Sequence, residues 1–120
     1  MDKIEGVVAH YIGMWEWIRD NLRKLKKEGC GIIGAKAKYL DMYGNPYHWG
    51  ACLLCWAYAG CEECPLDVCH SVGSSYDMIA DYLLGFGNIR LKTARESCDT
   101  IIKAHEDLKK NPTDLLRKII

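Results

Sequence analysis

Five of the seven cysteines in this 120-residue chain crowd one short stretch. From Trp49 to His70 it reads WGACLLCWAYAGCEECPLDVCH, with cysteines at 52, 55, 61, 64 and 69. Cys52/Cys55 and Cys61/Cys64 are each a Cys-x-x-Cys pair, the spacing at which one tight turn offers two sulfurs to one cation. Four thiolates close a tetrahedral zinc site and leave no open position for substrate, which favours a structural metal over a catalytic one. Cys52, Cys55, Cys61 and Cys64 form the simplest ligand set. Cys52, Cys55, Cys64 and Cys69 is nearly as good, and His70 can replace one sulfur. The bland alternative, a group of buried free thiols, accounts less well for the repeated spacing. A four-thiolate zinc site carries net negative charge that backbone N–H groups and nearby Lys or Arg must offset. Its apparent binding energy, on the order of ten kcal/mol, can supply much of the folding free energy of a small domain.

An iron–sulfur cluster is the chief rival. Cys64-Pro65 echoes the Cys-Pro that ends ferredoxin ligand runs, but the C-x2-C-x2-C-x3-C-P run itself is absent. A zinc deaminase would carry proline before its second cysteine pair, whereas Pro65 follows it. A thioredoxin-like role needs a βαβ surround that the pattern does not supply. Gly29–Gly34, GCGIIG, matches a dinucleotide fingerprint in letters only, because a charged helix precedes it where a strand is required. Cys30 within it reads as a small apolar filler, and Cys98 and His105 read as core. His10, on a helix with two glycines nearby, reads as packed and hydrogen-bonded rather than catalytic. No enzymatic constellation emerges.

The elements that must hold the cysteine stretch are helical. Ile4, Val7, Val8, Tyr11, Trp15, Ile18, Leu22 and Leu25 recur at three- and four-residue steps, predicting one long helix from residue 3 to about 27. Its basic last turns suit the negative end of the helix dipole, and Gly29 and Gly31 stop it. Residues 35–43 suit a short helix ended by Gly44-Asn45-Pro46. After the cysteines, Ser74-x-x-Asp77 starts a further helix with Tyr76, Ile79, Ala80 and Leu83 inward. Another spans about 88 to 109, with Leu91, Ala94, Cys98, Ile101, Ile102, His105 and Leu108 inward. Asn111-Pro112 ends it and Thr113 caps a last turn, whose apolar tail either docks on the first helix or faces a partner. No alternating strand pattern appears. The expected fold is mostly α, a small single domain of about four to five helices around a Cys-rich metal-binding knuckle. Its parts are an N-terminal helix over 1–28, the cysteine segment over 46–72, two helices over 74–110 and a turn over 112–120.

Sixteen basic and sixteen acidic residues cancel, so no global field draws the chain to nucleic acid or anionic lipid. The N-terminus is charged and lacks the apolar run of a signal peptide, and no stretch approaches a membrane span. Seven cysteines without an export signal point to a reducing compartment, so a cytoplasmic protein is expected.

The order His10…Met14-Trp15-x-Trp17-Ile18, then Lys38-Tyr39-Leu40, then C-x-x-C and C-x-x-C-P-L, resembles small uncharacterised cysteine-rich proteins of bacteriophages and prophages. The likeness covers residues 10 to 85 and is most specific at Cys61-Glu62-Glu63-Cys64-Pro65-Leu66. It implies a phage origin, hence a host bacterial cytoplasm, and a zinc site on Cys52, Cys55, Cys61, Cys64 and Cys69. The chain departs from the pattern at an extra residue before Tyr58-Ala59 and in its long last helix.

Three functions follow as expectations. The first is stoichiometric binding to a host or viral protein, such as inhibition of a host enzyme or defence complex in an anti-CRISPR-like manner. Its contacts would be an exposed Trp17, the basic helix end (Arg19, Arg23, Lys24, Lys27) and the Leu115–Ile120 tail. The second is nucleic-acid binding through Lys26, Lys27, Lys36, Lys38 and the aromatic run Tyr43, Tyr47, His48, Trp49. The third is redox work at an iron–sulfur centre.

Overall fold

The apolar stripe of the first helix sets the architecture, because it needs a partner of equal length and finds one near the other end of the chain. The computed structural model describes residues 3–44, 53–58 and 74–119. Helix α1 (Lys3–Asp20) buries Val7, Val8, Tyr11, Met14, Trp15 and Ile18. The long helix α6 (Leu91–Lys110) lies against it and contributes Ala94, Cys98, Ile101, Ile102, His105 and Leu108. Each such side chain contributes roughly 1.5–3 kcal/mol on burial, so this pairing dominates the core.

The expected single helix over 3–27 is interrupted. Asn21 separates α1 from α2 (Leu22–Lys27), its side-chain amide donating to the Trp17 carbonyl at 2.8 Å. Its backbone N–H is shared between the carbonyls of Trp17 and Ile18, at 3.0 and 3.2 Å. The side chain competes for a helical acceptor and the helix is broken at that residue. The hydrophobic stripe nonetheless continues through Leu22 and Leu25, both buried.

Helix α2 ends in a Schellman motif at Gly29 (φ 72°): the Cys30 N–H reaches back to the Leu25 carbonyl and the Gly29 N–H to that of Lys26. Helix α3 (Ile32–Tyr43) begins three residues earlier than its pattern suggests, with the Gly31 carbonyl accepting from the Ala35 N–H at 2.8 Å. Helix α4 (Leu53–Ala57) is short but deeply seated, with Leu53, Leu54 and Ala57 buried.

Helix α5 (Ser75–Leu84) starts where the capping signal says, the Asp77 N–H donating to Ser74 Oγ at 3.2 Å. It packs on α6 and ends in a second Schellman motif at Gly85 (φ 78°). Helix α7 (Asp114–Ile119) is capped by Thr113, which accepts from the Leu116 N–H at 3.2 Å. Of the two fates expected for the C-terminal tail, neither is what occurs at Leu116: it is fully buried, and α7 packs against α4 rather than α1. The Thr113 hydroxyl also donates to the Ala57 carbonyl, fastening the two short helices together. The described residues are mostly helical and contain no strand.

Candidate functional site

Of the cysteine stretch, the described residues hold only α4 and Tyr58. Cys52, Cys61, Cys64, Cys69 and His70 lie outside the described residues, and so does the side chain of Cys55, whose backbone belongs to α4. Among the described residues no group of three or more His, Cys, Asp or Glu side chains is placed to hold a metal ion. What the fold does supply is a fixed footing. Leu53 and Leu54 stand between Cys52 and Cys55 in sequence and are wholly inside the core, and Thr113 ties the Ala57 carbonyl.

Among the described residues the other two cysteines, Cys30 and Cys98, are free thiols. Cys98 is fully buried, and burial pushes its thiol up to about 12, with Asp99 adding to the effect. Thiolate chemistry is closed to it. Cys30 is half-buried, its thiol 3.6 Å from the Gly31 carbonyl. His105 donates Nδ1–H to the Ile101 carbonyl at 2.8 Å, and burial pushes its pKa down to about 4. His10 Nε2 lies 2.9 Å from the Gly44 carbonyl, with the ring 5.5 Å from those of Tyr11 and Tyr39. Both histidines are packed and hydrogen-bonded, as their sequence settings suggest.

The basic residues divide into engaged and free. Arg19 contacts Asp99 on α6 at 2.8 Å and Asp20 at 3.1 Å, so it clamps α1 to α6. Lys38 pairs with Glu28 at 2.7 Å, and this contact holds the Glu28 carboxyl below its ordinary range. Lys36 is buried: its Nζ lies 4.5 Å from the centre of the Tyr76 ring, 5.2 Å from that of Trp15, and 3.3 Å from the Tyr76 hydroxyl. Two of the four lysines expected to meet phosphate are therefore already committed. Among the described residues no ion pair engages Arg23, Lys24, Lys26 or Lys27, all exposed on or around the α2 turn. Lys26 Nζ instead sits 4.6 Å above the Tyr82 ring.

Trp17, expected to be exposed, is half-buried, its ring 5.9 Å from that of Tyr39. Tyr39 in turn meets Tyr43 at 4.7 Å. Among the described residues the large apolar side chains that do face solvent are others: Ile33, Met42, Tyr43, Leu84, Phe86 and Leu115. Leu84 and Phe86 escape a pattern reading because they flank a helix end and join no periodic stripe. No helix among the described residues is long and apolar enough to cross a membrane. No protein-family model matches this chain, and comparison with curated proteins and with solved structures finds no significant match.

Proposed function

We propose that this chain is a zinc-stapled, phage-like protein that acts by stoichiometric binding to another protein, in the manner of an inhibitor of a host enzyme or defence complex. The observation that carries the binding half is the α2 turn: Arg23, Lys24, Lys26 and Lys27 project from a rigid helical pair with no described carboxylate paired to them. Exposed cations in no described ion pair are disposed to meet an acidic surface, and arginine in particular anchors interfaces. Arg19 and Trp17, named with them from sequence, serve the fold first.

The zinc half is supported by the repeated Cys-x-x-Cys spacing of Cys52/Cys55 and Cys61/Cys64, with Cys69 close by. The core anchorage of Leu53 and Leu54 adds to it, since a ligand pair is most useful on backbone that cannot drift. The metal would act as a fastener, and the chemistry it supplies is cohesion.

Two measurements test the halves separately. Elemental analysis of the purified chain should return about one zinc per molecule, lost in Cys→Ser variants at two of positions 52, 55, 61 and 64. A chain that is metal-free, folded and indifferent to chelator defeats the zinc half. Size exclusion with bacterial lysate at physiological salt should yield a defined co-eluting protein in fixed ratio. Elution alone under those conditions defeats the binding half.

A further inference from the structure

The two Schellman motifs differ in one respect that bears on partners. In this motif the residue after the glycine commonly packs an apolar side chain onto the helix three residues before its end. At Gly29 the pair is Cys30 and Leu25, and both are at least partly buried. At Gly85 the residue after the glycine is Phe86, which follows Ala80 and Asp81 on the last turn of α5, and its ring stands 61% exposed. Leu84, at the last residue of α5, is 55% exposed, and its Cδ2 lies 3.7 Å from where a Cβ on Gly31 would stand. Two apolar side chains are thus presented to water by a turn held by the backbone bonds from Gly85 to Tyr82 and from Phe86 to Asp81.

The surroundings are cationic. Helix α2 packs on α5, and Lys26 lies over Tyr82, two residues before Leu84. Lys24 and Lys27 are exposed on the same short helix, so the α2 turn is basic, and the acid at the end of α5 is Asp81. Glu28, the nearest acid in sequence, is held by Lys38.

We infer that Leu84 and Phe86, with the Lys24–Lys27 turn beside them, form the docking surface for an acidic protein segment that carries an apolar anchor. The inference rests on the stoichiometric-binding reading and gives it a place and a ligand chemistry. Two apolar anchors beside a basic turn match a peptide of alternating acid and apolar side chains.

The test uses the full 120-residue chain, isotopically labelled, and a synthetic peptide of glutamate and leucine residues with one tryptophan. Amide shifts should concentrate in Arg23–Glu28 and Tyr82–Asn88. Phe86→Ser should weaken binding at least tenfold, and Lys24→Gln with Lys27→Gln should weaken it severalfold and flatten its salt dependence. All three positions are exposed, and an unchanged melting temperature confirms that the variants fold. Shifts elsewhere, or affinity indifferent to Phe86→Ser, overturn the inference. So does tighter binding of oligo-dT through the same amides, which assigns the surface to nucleic acid. A dimer that Phe86→Ser dissociates also overturns it, making a second copy the occupant. In the lysate experiment, a Phe86→Ser chain that still elutes with the wild-type partner overturns this surface and leaves the binding reading intact. A wild-type chain that elutes alone overturns the reading beneath it.

Discussion

Burial holds His105 neutral, with Nδ1–H committed to the Ile101 carbonyl and the pKa pushed down from 6.5 to about 4. The unfolded chain takes up this proton near pH 6.5, whereas the folded chain resists it until about pH 4. Stability is therefore full above pH 6.5, falls as pH drops through that window, and levels off below it. The loss from this site approaches about 3 kcal/mol. Urea midpoints measured from pH 7.5 to 4 should show a gentler acid slope in His105→Gln than in wild type, and parallel slopes would refute the assignment. A second prediction concerns Gly13, where an added Cβ would stand 2.9 Å from the Tyr39 hydroxyl. Alanine normally favours a helix over glycine by about 1 kcal/mol. Gly13→Ala should here be neutral or destabilising, and adding Tyr39→Phe should recover the gain, a coupling that thermal melts of the four-member cycle would reveal. His105 and Cys98 were legible as core from their spacing. Lys36 was not: its sequence setting groups it with the lysines expected to meet phosphate, and its burial depends on Trp15 and Tyr76 arriving from other helices.

Helix ends are the part of this fold that sequence spells out, because a cap is satisfied by residues a few positions away. Ser74, Gly85, Asn111-Pro112 and Thr113 all act where their types predict. The break at Asn21 is equally local, yet the stripe running through it reads as continuous because Leu22 and Leu25 keep the period. Gly85 gives the sharpest expectation at this scale. An added Cβ there meets nothing within 4 Å, so only the left-handed backbone (φ 78°) opposes a side chain. Gly85→Ala should cost roughly 1–2 kcal/mol, read as a shift in denaturation midpoint. Ser74→Ala, which removes the cap on the other end of α5, should cost about 1 kcal/mol. Alanine at either position without effect would mean that tertiary packing alone sets the limits of α5.

Across the whole molecule, the arrangement joins what sequence keeps far apart. Periodicity named the faces of α1 and α6 but not their mate, and nothing local told α7 to rest on α4. Leu116 is the anchor of that rest, and Leu116→Ala should destabilise by about 2–5 kcal/mol as it leaves a cavity under α4. On the zinc reading the same variant should bind the metal more weakly, since α4 carries Cys55, and a chromogenic chelator competing for the ion would measure it. Unchanged chelator competition would show that the ion is gripped without help from α7.

The pairing of α1 with α6 has a consequence for the newborn chain. Helix α1 leaves the ribosome with Val8, Tyr11 and Ile18 bare, and the face of α6 that packs on it, Ala94 to Leu108, is made only after every helix between them. For the time translation takes to cross that span, a greasy, basic-tailed rod waits in the open, an interval of aggregation hazard in which a chaperone would serve it.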